Sequence, residues 1–125
     1  MTPKISPAAL LEADLIAAGI PPQLEHRPFL EARWRFDLAY PTIKLAIELD
    51  GAGRQGRLGG HQTHSGRIRD MTKANAAIEH GWRVLRYPTS SIKIHKRRDR
   101  IVEQIFRIAC SVQCLDSAKI VLEGD

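Results

Sequence analysis

The chain has 125 residues and a formal net charge of +5, from 19 Lys and Arg against 14 Asp and Glu. This length fits one domain that can bury a core without disulfides or structural metals, and an apolar content of 43% excludes a disordered chain. The excess of cations favours a polyanionic partner, most commonly nucleic acid, although a basic protein without such a partner would have the same composition.

No apolar run reaches the roughly 18 residues that a membrane-spanning helix requires, so we expect no membrane segment. Glu12 and Asp14 interrupt the apolar stretch near the N-terminus, which argues against a signal peptide. Cys110 and Cys114 stand in a helical pattern without further ligands at a zinc-site spacing. We interpret them as small core or flanking residues of a protein in a reducing cytoplasm.

The predicted elements begin with a helix. Ser6 is a suitable N-cap and Pro7 suits the first helical position. Leu11 and Leu15 recur at helical spacing, and Gly19, which precedes a pair of prolines, ends the helix.

Three extended segments follow. The first, Leu24 to Arg27, is weakly marked, whereas the second, Trp34 to Tyr40, is rich in aromatic residues and ends at Pro41. The third, Ile43 to Leu49, is a nearly continuous apolar run, which is typical of a central strand buried on both faces.

Gly51 to Gly66 is rich in glycine and poor in apolar residues, which predicts a long and therefore functional or disordered loop. A second helix is predicted from about Arg67 to His80, with Gly81 as its stop. Its expected packing residues are Met71, Ala74 and Ile78.

Trp82 to Tyr87 is predicted as a fourth strand, closed by Pro88, and a last helix begins near His95. That helix carries an apolar stripe at helical spacing, formed by Ile101, Ile105, Ile108, Val112 and Leu115. The tail from Asp116 onward is compatible with a strand, an arm or disorder. The order of elements predicts a single α/β domain over residues 1–125, with a four-stranded mixed sheet flanked by helices.

Acidic residues interrupt two of the apolar strands. Asp37 lies within the second strand, and Glu48 and Asp50 end the third, where alternation puts them on one face. A short turn joins the two strands, so they should pair as a hairpin that brings Asp37 near Glu48. Crowded, half-buried carboxylates are unfavourable unless a cation compensates them, and oxygen ligands suit Mg²⁺ or Mn²⁺. The alternative is that these acids form ordinary salt bridges with Arg35 or Arg67.

An acid in one strand, followed by Glu-X-Asp at the end of the next within this order of elements, resembles the core of PD-(D/E)XK nucleases. The stretch RFDLAYPTIKLAIELDG, with Gly60-His61, Asp70, Lys73 and GWRVLRY, is similar to the branch of very-short-patch-repair-like and small phage-type endodeoxyribonucleases. The resemblance covers roughly residues 34–87. It implies a restriction-endonuclease-like αβββαβα core and a magnesium-dependent DNA endonuclease in a bacterial or phage-infected cell.

The resemblance also implies roles for individual residues. Asp37 and Glu48 would be carboxylate ligands of the metal, and the carbonyl of Leu49 a further ligand. Asp50 occupies the position of the family's usual lysine, which leaves open what orients water and stabilises charge there. His61, in the loop, and Lys73, on the following helix, match the branch pattern and are the candidates, with His64 as a further possibility.

Two groups of cations are candidate DNA-binding residues. The first group is Arg54, Arg57, Arg67 and Arg69, and the second is Lys93, Lys96, Arg97, Arg98 and Arg100. The second group surrounds the start of the last helix, where the helix dipole disfavours cations, so an anionic partner is indicated. The alternative is a solvated run of charges.

Three functions remain open. The first is a DNA endonuclease, whose sharper form is a Holliday-junction resolvase acting as a symmetric homodimer. The second is a DNA-binding module with a degenerate nuclease site, which Asp50 in the lysine position makes conceivable. The third is a nuclease based on His61, His64 and His80, but the predicted strand order does not supply the ββα-metal arrangement that it requires.

Overall fold

The structure is a computed structural model that describes residues 4–51 and 63–123, with side chains as far as residue 113. A 3-10 turn, Pro41–Ile43, joins β2 to β3. The helices and strands, in chain order, are α1 Pro7–Ala17, β1 Gln23–His26, β2 Phe36–Tyr40, β3 Leu45–Asp50, α2 His64–Glu79, β4 Arg83–Pro88, α3 Thr89–Ile92 and α4 His95–Glu123.

The four strands form one mixed sheet in the order β1-β2-β3-β4, which confirms that part of the prediction. β1 pairs with β2 and β2 with β3 in antiparallel fashion, as expected for strands joined by short connections. β3 and β4 are parallel, because α2 carries the chain back between them.

Helices cover both faces of the sheet, so the buried residues fall into two clusters. The first cluster joins the sheet to α1, α3 and α4, and its fully buried members include Leu11, Leu38, Ile47, Ile92 and Ile105. The second lies between the sheet and α2, and consists of Phe36, Ala39, Ala46, Ala77 and Trp82. Alternate residues of β3 therefore face opposite clusters, which explains its nearly continuous apolar sequence.

The boundaries of α1 agree with its predicted signals. Ser6 Oγ accepts a hydrogen bond from the amide of Ala9 at 3.1 Å, which caps the helix. The chain then turns at Gly19, whose φ of +84° is a conformation that glycine adopts without strain. Leu11 and Leu15 are fully buried, as predicted.

The prediction for α2 was wrong in two respects. The helix begins at His64 rather than Arg67, because Thr63 Oγ1 accepts a hydrogen bond from the amide of Gly66 and serves as the N-cap. Met71 and Ile78 are 64% and 69% exposed, so they do not supply the predicted packing. The helix approaches the sheet through the small side chain of Ala77, and Met71 and Ile78 stay outside the buried cluster.

The last helix extends further toward the C-terminus than the sequence indicated. α4 continues to Glu123, so residues 116–123 are helical rather than a strand, an arm or disorder, since they contain neither Gly nor Pro to end the helix. Ile101, Ile105 and Val112 of the predicted stripe are buried, and Cys110 is exposed. Within the described ranges, no helix combines the length and the apolarity needed to cross a membrane.

Candidate metal and nucleic-acid site

The pairing between β2 and β3 stops where the two acids meet. Its register pairs Tyr40 with Leu45, Ala39 with Ala46 and Leu38 with Ile47, so a continued ladder would place Asp37 opposite Glu48. At that point side chains replace the ladder: the amide of Asp37 donates to Glu48 Oε1 at 3.1 Å, and the amide of Leu49 donates to Asp37 Oδ2 at 2.7 Å. Each carboxylate thus holds a backbone N–H of the opposite strand.

The chain of β2 changes face at Asp37. Residues two apart on a regular strand share a face, but Phe36 packs in the α2 cluster and Leu38 in the opposite one. On β1, Glu25 lies level with Asp37 and has a φ of +53°, which is uncommon for a residue with a side chain. The irregular backbone at Glu25 and the change of face at Asp37 lie beside the point where the regular β2–β3 ladder fails.

Burial and repulsion from neighbouring carboxylates disfavour the charged forms of both acids. The pKa of Glu48 is raised to about 7, mainly by burial and also by the charge of Asp37. The hydrogen bond from the Asp37 amide and the charges of Arg86 and Lys73 act in the opposite direction. Burial also raises the pKa of Asp37 above its ordinary value. The hydrogen bond from Leu49 opposes that increase, whereas Glu25 and Asp50 add to it.

The two carboxylates fit a hard divalent cation. Their second oxygens, Asp37 Oδ1 and Glu48 Oε2, accept no hydrogen bond from the residues that the structure describes. A cation there would offset the repulsion that raises both pKa values. Across residues 4–51 and 63–123, no group of three or more His, Cys, Asp and Glu side chains is placed to hold one ion. The predicted set of two carboxylates and the Leu49 carbonyl is smaller than such a group.

A cleft of about 270 Å³ opens beside Glu48, between α2 and the ends of β3 and β4. Asp37 does not line it and adjoins it through its contact with Glu48. The lining residues carry charges of both signs above an apolar wall, and are Trp34, Phe36, Glu48, Asp50, Asp70, Lys73, Ala74, Ala77, Ile78, Val84 and Arg86.

Two cations share this cleft with Glu48. Lys73, on α2, is half-buried, and its Nζ lies 5.9 Å from the centroid of the Trp34 ring. Arg86, on β4, is level with Glu48 in the parallel register. Sequence reasoning missed Arg86, because its place beside Glu48 depends on the register of two strands separated by more than 30 residues of sequence. Alternation along the stretch GWRVLRY places Arg86 and Arg83 on opposite faces, but it does not indicate which of the two faces the acids.

The remaining predicted site residues are distributed as follows. Asp50 is exposed at the end of β3 and lines the cleft, as alternation with Glu48 predicted. His64 is the first residue of α2 and is exposed. The loop residues Arg54, Arg57 and His61 lie outside the described residues.

The predicted DNA-binding cations differ in accessibility. Arg67, Arg69, Lys96, Arg97 and Arg100 are exposed on α2 and α4. Arg98 is not: its side chain is 11% exposed, its Nε donates to Asp14 Oδ2 at 2.5 Å, and its Nη1 donates to the carbonyl of Ile92 at 2.8 Å. These contacts join α4 to α1 and α3, so we leave Arg98 out of the candidate DNA surface.

The structure thus brings Glu48, Asp50 and Lys73 around one cleft, with Asp37 held against Glu48 at its edge. It also adds Arg86 to this group. Comparison of the chain with protein families, with curated proteins and with solved structures gave no match.

Proposed function

We propose that the chain is a metal-dependent DNA endonuclease whose metal, Mg²⁺ or Mn²⁺, is bound by Asp37 and Glu48. The observation that carries the proposal is the reciprocal contact of these acids at the interrupted β2–β3 ladder. It holds two half-buried carboxylates side by side and leaves one oxygen of each without a hydrogen bond from the described residues. An arrangement that is costly without a cation favours a site that binds one.

The chemistry required is hydrolysis of a phosphodiester bond. A bound divalent cation would lower the pKa of a water molecule and neutralise charge on the phosphate. Asp37 and Glu48 would fix the position of that cation, because each is itself held by a backbone amide of the neighbouring strand. Lys73, which lines the same cleft, would orient the water or stabilise developing charge in place of the family's usual lysine.

The exposed cations support DNA as the substrate. Lys96 and Arg97 belong to the first turn of α4, where the helix dipole makes a cation unfavourable for the free protein. Phosphates bound there would relieve that cost and give affinity that does not depend on base sequence. Arg67 and Arg69 supply a similar exposed pair in the first turns of α2.

The order of elements, with the acids on the second and third strands, supports assignment to the PD-(D/E)XK type and its very-short-patch-repair-like branch. Activity on a four-way junction would require two coordinated cuts and therefore a homodimer. We include that substrate class in the proposal because a small nuclease with mainly phosphate contacts selects DNA by shape more readily than by sequence.

A cleavage panel tests the proposal. Linear, nicked, flapped, single-stranded and four-way-junction DNA are each incubated with the protein in Mg²⁺, Mn²⁺ and EDTA. Asp37→Ala, purified in parallel, controls for contaminating nucleases. We expect cleavage of at least one substrate with either metal, and none in EDTA or with the variant. If the wild type binds DNA but cuts nothing with either metal, the proposal fails, and a DNA-binding module with Asp50 in the lysine position is the better account.

A further inference from the structure

Arg86 projects into the cleft from the floor of the sheet. Leu85 and Tyr87 pack on the α1 and α4 side, so alternation turns Val84 and Arg86 toward α2. The parallel register sets Arg86 beside Glu48, and both side chains line the same cleft. The proposed metal ligand and this guanidinium are therefore neighbours on adjacent strands.

No described residue holds the Arg86 guanidinium in a hydrogen bond or a salt bridge, although the charge of Glu48 acts on it. Arg98 provides the contrast, because Asp14 and the Ile92 carbonyl hold its guanidinium. A guanidinium that is committed to packing makes such contacts. Arg86 is instead exposed and lines a cleft of about 270 Å³, several times the roughly 30 Å³ that one water occupies in the liquid, so its donors are open to a ligand that enters the cleft.

We propose that Arg86 binds the phosphate that is cleaved, donating two N–H groups to its non-bridging oxygens. The inference rests on the proposed function, and it names the group that receives the phosphate. Arginine suits this role because its planar fork matches phosphate geometry, whereas lysine acts as a point charge. Arg86 would also supply, from β4, a positive charge near the site. Asp50 does not supply one, although it stands in the position of the usual lysine.

The test uses Arg86→Gln, Arg86→Lys and, as a matched control, Arg83→Gln. Arg83 is exposed on the same strand, as Arg86 is, but it does not line the cleft. The cut position is first mapped with the wild type, and a duplex is then made with one uncharged methylphosphonate at that position. Affinities for this and the unmodified duplex are measured in Ca²⁺, with thermal unfolding of each variant as a check on folding.

We expect the methylphosphonate to weaken binding by the wild type and by Arg83→Gln about tenfold, the loss of roughly one charge-assisted contact. For Arg86→Gln the loss should be under about twofold, since the contact is already absent, and Arg86→Lys should lie between them. Arg86→Gln should also reduce the single-turnover rate on unmodified DNA about 10²-fold.

An equal methylphosphonate penalty in the wild type and in Arg86→Gln would overturn the assignment while leaving the endonuclease proposal intact. If the wild type yields no cut to map, the endonuclease proposal itself has failed, and the role of Arg86 fails with it. The two failures are therefore distinguishable.

Discussion

Nζ of Lys73 lies 5.9 Å from the centroid of the Trp34 ring, on the wall of the cleft that also contains Glu48. Attraction between an ammonium group and an aromatic face is strongest for tryptophan, and it increases where water is partly excluded. Trp34 in turn packs edge-on against the buried ring of Phe36, with ring centroids 5.2 Å apart. A chain of contacts thus connects the core with a flexible lysine and restricts where its charge can lie.

Lys73→Ala should reduce the single-turnover cleavage rate by about 10²-fold, because a charge positioned beside the proposed metal site is lost. Trp34→Leu keeps the lysine but removes the aromatic ring that its ammonium group contacts, so we expect a smaller reduction of the cleavage rate, about tenfold or less. Lys4→Ala, an exposed lysine before α1, is the control. If Lys73→Ala cuts at the wild-type rate while His61→Ala does not, the histidine fulfils the role.

Asp37→Ala should abolish cleavage and leave DNA affinity unchanged or slightly higher, since a negative charge near the phosphate is removed. The amide of Leu49 loses its acceptor, at a cost of about 1 kcal/mol, but relief of repulsion toward Glu48 offsets part of that cost. Thermal unfolding, anisotropy with labelled DNA and cleavage assays measure the three quantities. Asp99→Ala, on the exposed side of α4, should cut like the wild type.

The contribution of Glu48 to the stability of the metal-free protein should fall as pH rises. The pKa of Glu48 is about 7 in the folded protein against an ordinary 4.5, so this group favours folding most below its unfolded-state value, and the benefit is lost as pH rises through 7. Between about pH 5 and pH 8 in EDTA, the wild type should lose on the order of 1 kcal/mol relative to Glu48→Gln, after allowance for solvent screening. Urea unfolding at several pH values measures the difference. Parallel curves for the two proteins would contradict the expectation, and Mg²⁺ should reduce the wild-type loss.

The exposed cations at the start of α4 should control the salt dependence of DNA binding. Replacing Lys96, Arg97 and Arg100 together by Ala should weaken binding of all sequences alike and reduce the slope of log affinity against log salt by nearly one unit per lost contact. Titrations at several salt concentrations measure the slope. An unchanged slope would show that these side chains do not contact phosphate.

Arg98→Ala should act on stability instead. The variant loses the ion pair with Asp14 and the hydrogen bond to the Ile92 carbonyl, so we expect a loss of about 1–3 kcal/mol in the free energy of unfolding. Arg97→Ala, its exposed neighbour, should stay within about 0.5 kcal/mol of the wild type. Chemical denaturation of both variants provides the comparison, and equal stabilities would mean that the Asp14 contact contributes nothing.

Local signals in the sequence predicted the elements well where one interaction dominates. Ser6 and Gly19 bound the first helix, and Ile101, Ile105 and Val112 of the predicted stripe are buried while Ile108 is partly exposed, because capping and helical periodicity act within a few residues. The packing of α2 was not predictable in this way. Met71 and Ile78 have helical spacing, but the residue that packs against the sheet is the small Ala77. Which residue packs there depends on the volume already occupied by Phe36 and Trp82.

In the candidate site, too, local sequence signals predicted some features, whereas others depend on residues that are distant in the sequence. Alternation along β3 was enough to place Glu48 and Asp50 on one face, and a short turn was enough to bring Asp37 near them. The sequence could not indicate that Asp37 and Glu48 interrupt the ladder, because the side-chain-to-backbone hydrogen bonds that replace it depend on the geometry of two strands together. Nor could it separate Arg98 from its exposed neighbours, since its partner Asp14 lies 84 residues earlier.

The interrupted ladder also gives the protein two built-in spectroscopic probes. The amide protons of Asp37 and Leu49 are bonded to carboxylates, whereas their neighbours within the ladder are bonded to carbonyls. Hydrogen bonds to an ionised acceptor are shorter and stronger than those to a neutral one, so these two protons sense the charge on the opposite acid. In an NMR titration, their resonances would therefore follow the protonation of each acid separately. Any cation that draws electron density from Asp37 or Glu48 would be detected at the same two signals, without a label and without DNA.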